Sequence, residues 1–205
     1  MKERILTEKE KIRLEKVMSF IKQKEKDGFV SKNMIISIGF ANVMAFVLSI
    51  PIILPIGFFF FQHNIYNTLS FTDSIFLFLS MMAGIIIHEA IHGFVWGLFI
   101  KDRSKSIEFG IMKDSLTPYC TCLEPLSKGQ YILGAIMPGL LLGILPMLIS
   151  LINGSLFFFF FGSIMLIGAG GDFTIILKLL LYKTNKTKVL YMDHPTECGL
   201  IILEK

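Results

Sequence analysis

The chain has 205 residues, of which 53% are hydrophobic and 18% charged, and its formal net charge at pH 7 is +4. Together with a mean hydropathy of +0.66, this composition excludes an ordinary soluble domain and is typical of a polytopic membrane protein. Three cysteines in 205 residues are too few for a disulfide framework.

Residues 1–33 form a charged segment that contains ten Lys or Arg and six Asp or Glu. An apolar stripe recurs within it at helical spacing, at Leu14, Val17, Met18 and Ile21. This pattern predicts an amphipathic helix, which is either solvated or lies on the inner membrane leaflet. Residues 34–61 predict the first transmembrane helix, and Pro51 and Pro55 predict that it kinks or ends early.

The second predicted span, residues 74–100, carries the most specific motif of the chain. A helix of this length reaches roughly 40 Å and can cross a hydrocarbon core of about 30 Å. His88 and His92 are spaced i and i+4, so both imidazoles project from one face and can bind a single metal ion. Glu89 lies about 100° round the helix, where it can act as a general base on a water. This is the H-E-x-x-H pattern of zinc hydrolases; the alternative is a helix whose polar groups only hydrogen-bond to their neighbours.

Residues 101–130 form the polar connection between the second and third spans. Within it, residues 106–111 and 118–123 alternate with period two, which predicts a β-hairpin at the membrane surface. Asp114 and Ser115 offer turn chemistry between the two strands.

The third and fourth predicted spans cover residues 131–152 and 156–182, and residues 183–205 form a tail that ends in a strand-like piece. All 20 Lys and Arg residues fall on one side of this arrangement. The asymmetry predicts that both ends of the chain and the hairpin face the cytosol. The predicted fold is therefore an all-α polytopic membrane protein with four transmembrane helices and a small cytosolic hairpin between spans 2 and 3. Residues 1–33, 34–182 and 183–205 form its three regions.

Asp172 is the expected third metal ligand, since a catalytic zinc usually has three protein ligands and one open position. His88 lies 13 residues before Lys101, and Asp172 lies 11 residues before Lys183. At about 1.5 Å per residue, the depths of these two side chains differ by only about 3 Å. The alternative is that Asp172 only forms hydrogen bonds within the helix bundle.

The chain resembles two families at these positions. His-Glu-Ala-Ile-His on one span and an Asp beside Gly on another are similar to the core of the site-two proteases, which are intramembrane zinc metalloproteases. A hairpin after the motif helix also resembles theirs. More closely, the chain resembles a family of small bacterial membrane proteins described as zincin peptidases. That likeness covers about residues 70 to 203 and rests on the segments 88–93, 119–125, 170–173 and 193–196. Site-two proteases usually present the aspartate before a glycine, whereas Asp172 follows Gly171.

These resemblances imply a zinc metallopeptidase in a bacterial cell membrane, acting on membrane proteins or peptides. His88, His92 and Asp172 would bind Zn²⁺, and Glu89 would be the general base. An extended substrate could add as a strand to the hairpin. The hairpin residues expected to contact such a substrate are Ile107, Phe109, Tyr119, Cys120 and Cys122. The alternatives are a non-catalytic scaffold or regulator that retains a metal site, and a small transporter.

Further residues of metal-ligand type lie outside the spans. Cys120 and Cys122 share one face of a predicted strand, and either simple packing or metal binding fits them. One of Asp193, His194, Glu197 and Cys198 could approach the zinc from the cytosolic side. Nucleic-acid binding is not expected, because the basic residues of the N-terminal segment are interleaved with acidic ones. The sequence leaves the oligomeric state open.

Overall fold

The computed structural model describes residues 6–63, 68–112 and 117–205. The protein is mostly helical (67%), with small antiparallel sheets. The described helices are α1 (Glu8–Lys26), α2 (Ile38–His63), α3 (Phe71–Gly97), α4 (Arg103–Ser106), α5 (Lys128–Pro138), α6 (Leu145–Asn153), α7 (Leu156–Gly168) and α8 (Gly170–Leu181), with a π-helical segment Gly139–Ile144 between α5 and α6. The described strands are β1 (Val30–Ile35), β2 (Ile107–Met112), β3 (Thr117–Cys122), β4 (Val189–Asp193) and β5 (Gly199–Glu204). The prediction of an all-α protein is therefore too narrow.

Three continuous helical stretches are long and apolar enough to cross a membrane: α2, α3 and residues 128–153. α7 and α8 pass the same test only together, and they are bent by 50° relative to each other. The described residues thus contain three candidate membrane helices, or four if the bent pair counts as one span. α2 begins at Ile38 rather than at residue 34, because the preceding residues form β1. It continues through Pro51 and Pro55 to His63, so the predicted early end is not observed.

The three-stranded sheet joins β1, which precedes the first candidate membrane helix, to β4 and β5, which follow α8. Its strand order is β1-β5-β4, and both pairings are antiparallel. Val30 pairs with Glu204, and Ile35 pairs with Gly199. Residues 30–35 were predicted to end the N-terminal segment and begin the first span. They instead share one sheet with residues of the predicted C-terminal tail.

The apolar stripe of α1 packs against this sheet. Val17 and Ile21 are buried, and they belong to one apolar cluster with Met192, Ile201 and Leu203 of β4 and β5. The part of the stripe formed by Val17 and Ile21 therefore faces protein, rather than solvent or lipid as the two sequence interpretations had it. Burial of these side chains holds the middle of α1 against β4 and β5.

β2 and β3 form a separate two-stranded antiparallel sheet directly after α4. Ile107 pairs with Cys122, and Phe109 pairs with Cys120. The predicted turn at Asp114 and Ser115 lies outside the described residues. A further bridge between Leu126 and Tyr191 connects the segment after β3 to β4.

Gly170, at the start of α8, allows α8 to lie directly against α2. A Cβ atom added at Gly170 would lie 2.2 Å from both the Cα and the Cβ of Ala45. At Gly168, in contrast, an added Cβ would meet nothing within 4 Å. Of these two glycines, only Gly170 is required by close helix packing.

We therefore expect Gly170→Ala to destabilise the protein by about 1–3 kcal/mol, the usual effect of overpacking. The matched control, Gly168→Ala, leaves stability unchanged or raises it by up to about 1 kcal/mol, since alanine favours the helix. Thermal unfolding of the two detergent-purified variants measures the difference. Equal unfolding temperatures would show that α2 and α8 do not approach this closely.

Candidate metal centre and cavity

Two histidines of α3 face the interior of the protein together. His88 and His92 are 8% and 3% exposed, and their ring centroids lie 4.8 Å apart. The two Nε2 atoms are separated by 3.2 Å. This is the geometry that the i, i+4 spacing predicts, with both imidazole nitrogens pointing at one place.

Asp172 completes the cluster from the first turn of α8. Its Oδ2 atom lies 3.1 Å from Nε2 of His88, and its Oδ1 atom lies 3.3 Å from Nε2 of His92. Asp172 lies in the first turn after the break between α7 and α8, which are bent by 50° relative to each other. Among the described residues, this group satisfies the geometric requirements for holding a metal ion, with one ligand atom from each residue within 4.8 Å of the others.

The spacing of these donor atoms fits zinc. Zn–N and Zn–O bonds of about 2.0–2.2 Å in a tetrahedral site place neighbouring ligand atoms roughly 3.3–3.5 Å apart. Here the two Nε2 atoms lie 3.2 Å apart, and each contacts a different oxygen of Asp172, Oδ2 at 3.1 Å for His88 and Oδ1 at 3.3 Å for His92. Two imidazole nitrogens and one carboxylate also form the donor set of several catalytic zinc sites, in which a fourth position stays open.

The orientation of His92 is fixed from α5. Its Nδ1 atom lies 2.9 Å from the carbonyl oxygen of Gly134, and a carbonyl can only accept a hydrogen bond. Nδ1 therefore carries the proton, and the lone pair of Nε2 points towards His88 and Asp172. The ring of His92 also stacks on Trp96, with centroids 4.9 Å apart and planes inclined by 14°.

Gly134 is a glycine because the indole of Trp96 occupies the space beside it. A Cβ atom added at Gly134 would lie 2.0 Å from Nε1 of Trp96. The same Nε1 donates a hydrogen bond of 3.1 Å to the carbonyl of Tyr131. The first turns of α5 thus hold both the imidazole of His92 and the indole of Trp96 that stacks on it.

Glu89 lies beside the three clustered residues but is not one of them. Its Oε2 atom accepts a hydrogen bond of 2.6 Å from the backbone N–H of Cys120, in β3. It lines the same cavity as His88, His92 and Asp172. A carboxylate in this position can receive a proton from a water in the cavity while the three other residues hold a metal.

The cavity has a volume of about 240 Å³. β3 forms one wall, the loop from Asp193 to Gly199 forms another, and Glu10 and Arg13 of α1 also contribute. The guanidinium of Arg13 lies over the ring of Tyr119 at 5.0 Å and donates a hydrogen bond of 2.8 Å to its hydroxyl. Sequence reasoning missed the part played by α1. The sequence contained one indication of it: Glu10 and Arg13 lie at helical spacing from Val17 and Ile21 and so share their face of the helix.

The predicted substrate-contacting residues divide into two groups. Tyr119 and Cys120 line the cavity. Ile107 and Phe109 instead pack near Gly93 of α3 and do not line the cavity. Cys122 is buried, and its N–H donates to Asp193.

The residues between Asp193 and Cys198 line the cavity without joining the clustered donor atoms. Nδ1 of His194 accepts hydrogen bonds from the backbone N–H groups of Thr196, at 3.3 Å, and Glu197, at 3.0 Å. Burial lowers the pKa of His194 and raises the pKa of Asp193 to about 6. Asp193 accepts hydrogen bonds from Tyr131 of α5 and Cys122 of β3, and it does not belong to the three clustered residues.

The three cysteines are free thiols with raised pKa values. Burial raises the pKa of Cys122 from 9.0 to about 12, and burial also raises the pKa of Cys120 and Cys198. None of them belongs to a group of potential metal ligands within the described residues. Packing is therefore the better interpretation of Cys120 and Cys122.

Comparison with protein families gives one match, to the family described as "Putative zincin peptidase", over residues 81–187. The matched stretch includes His88, Glu89, His92, β3 and Asp172. No curated protein and no solved structure matches the chain.

The raised pKa values predict that all three thiols resist alkylation at pH 8. A rise of the pKa from 9.0 to about 12 lowers the thiolate fraction of Cys122 about 1000-fold. Iodoacetamide labelling followed by mass spectrometry should leave Cys120, Cys122 and Cys198 unmodified in the folded protein and modify all three after denaturation. Rapid labelling of Cys122 in the folded protein would contradict its burial.

Proposed function

Since the chain belongs to this family of zincin peptidases, we propose that it is an intramembrane zinc metallopeptidase that hydrolyses peptide bonds of membrane or membrane-associated substrates. One observation carries the proposal. The Nε2 atoms of His88 and His92 lie 3.2 Å apart, and each lies within 3.3 Å of a carboxylate oxygen of Asp172, close to the spacing of zinc ligands. Glu89 lies beside them and can act as a base.

His88, His92 and Asp172 would hold the zinc. Bound there, zinc would lower the pKa of a water towards about 7 and polarise a peptide carbonyl. Glu89 accepts the proton of the attacking water and returns it to the leaving amine. The carbonyl of Gly134 accepts the Nδ1 proton of His92 and so orients Nε2 of the neutral imidazole as the ligand atom.

The substrate would lie along the free edge of β3. The N–H of Cys120 points away from β2 and is bonded to Glu89. A substrate carbonyl that pairs with this N–H would take the place of Glu89 and release the carboxylate towards the water. Tyr119 and Cys120 would then be the hairpin residues in contact with the substrate backbone.

We further propose that α7 and α8 together form a fourth span and that both ends of the chain face the cytosol. The proposal rests on the basic residues, all of which lie on one side of such an arrangement. The cavity would then open in the inner half of the bilayer. A carboxylate at a helix break opposite an H-E-x-x-H helix supports the likeness to the site-two proteases. The protein would act in a bacterial cell membrane.

Zinc binding gives the first prediction from this function. The purified protein should bind one zinc, and His88→Ala, His92→Ala and Asp172→Ala should each weaken binding at least 100-fold, because each removes one of three ligands. His63→Ala is the matched control, because His63 lies at the exposed end of α2, where its Nδ1 atom lies 2.9 Å from the Phe59 carbonyl. Within the described part of the chain, His63 belongs to no group of potential metal ligands. Metal content and competition with a chromogenic chelator measure the affinities. Zinc retained by Asp172→Ala would remove Asp172 from the ligand set.

Glu89→Gln gives the second prediction. The amide cannot accept a proton, so hydrolysis should fall by about 10²–10⁴-fold while zinc content stays unchanged. The assay uses a panel of synthetic single-span peptides in detergent micelles, with products identified by mass spectrometry. Cleavage by Glu89→Gln at the unsubstituted rate would contradict the mechanism. A zinc-loaded protein that cleaves none of these peptides would favour the scaffold interpretation.

A further inference from the structure

Asp193 lies at the end of β4 and reaches two other elements. Its Oδ1 atom accepts a hydrogen bond of 2.5 Å from the hydroxyl of Tyr131, in α5. Its Oδ2 atom accepts a hydrogen bond of 2.6 Å from the N–H of Cys122, in β3. The carboxylate is buried, so each of these bonds forms away from bulk water, where loss of the acceptor is costly.

Through Tyr131, Asp193 acts on the first turns of α5. The carbonyl of Tyr131 accepts the hydrogen bond from Trp96, and the carbonyl of Gly134, three residues later, contacts Nδ1 of His92. The ring of Tyr131 also lies 5.3 Å from that of Trp96. The position of α5 therefore decides where the imidazole of His92 points.

Through Cys122, Asp193 acts on β3. The N–H groups of Cys120 and Cys122 emerge from the same edge of the strand, because they are two residues apart. Cys122 donates to Asp193, and Cys120 donates to Glu89. Asp193 thus fixes the strand edge that in turn fixes Glu89.

We infer that Asp193 is a positioning residue that holds His92 and Glu89 in place together, through α5 and β3. This inference rests on the proposed function and adds a residue to it from outside the H-E-x-x-H motif. Asp193 does not belong to the clustered donor atoms, so it acts only through its two partners. Partners beyond the ligands that orient metal-binding side chains typically contribute 10–100-fold to metal affinity.

The chain offers a matched control in Glu204, at the end of β5. This carboxylate is also buried in the same sheet, with its residue 2% exposed. It also accepts a hydrogen bond from a tyrosine, at 2.8 Å from the hydroxyl of Tyr182, and one of 2.6 Å from Lys32. Glu204 does not line the cavity. Its loss should disturb the sheet without reaching the metal centre.

The experiment compares full-length Asp193→Ala, Asp193→Asn, Tyr131→Phe and Glu204→Ala in detergent at pH 7.5. Zinc affinity is measured by chelator competition, and amide hydrogen exchange is followed by mass spectrometry. Asp193→Ala should lower zinc affinity 10–100-fold and speed exchange in both 117–122 and 128–138. Asp193→Asn, which keeps one acceptor oxygen, should recover part of both effects. Tyr131→Phe should lower zinc affinity and speed exchange in 128–138 alone, and Glu204→Ala should do neither.

Zinc affinity of Asp193→Ala within twofold of Glu204→Ala would overturn the inference. If Asp193→Ala does not fold, Tyr131→Phe provides the test. Amide exchange in 128–138 and zinc affinity that both match the unsubstituted protein would then overturn the inference. If the unsubstituted protein binds no zinc, the proposed function fails. The exchange rates of 117–122 and 128–138 then still show whether Asp193 holds the two elements.

Discussion

The contact between the paired imidazoles of α3 and the carboxylate of Asp172 is the interaction on which the rest of the structure depends. Ionisable groups among apolar helices are costly unless they are paired or bind a metal. Here each imidazole has a carboxylate oxygen within 3.3 Å. Two features accompany this contact. Asp172 lies in the first turn after the break between α7 and α8, and the absent side chain at Gly170 lets α8 lie directly against α2.

Most of the candidate metal centre could be predicted from the sequence. The i, i+4 spacing of His88 and His92 fixes a common face, and counting residues from the ends of two spans places Asp172 at a matching depth. Both arguments use only local helix geometry, which holds wherever a helix forms. The helices themselves were predictable for the same reason, although their ends differ from the predicted ones by several residues.

The polar surroundings of the centre could not be predicted in the same way. β1 pairs with β5 across more than 160 residues of sequence, and no local pattern reveals such a partner. The apolar stripe of α1 gave no sign of whether lipid or a sheet would cover it. The contacts of Asp193 could not be predicted either, because its partners Tyr131 and Cys122 come from a helix and a strand that only the folded chain brings together.

The pairing of β1 with β5 also makes one wall of the cavity depend on a contact between distant parts of the chain. β4 and β5 are joined by the loop from Asp193 to Gly199, which lines the cavity, and β5 is held between β4 and β1. A pairing between such distant segments forms only after a long loop has closed. We therefore expect that α3 and α8 can meet before this wall is in place, and that the arrival of β1 beside β5 completes the enclosure.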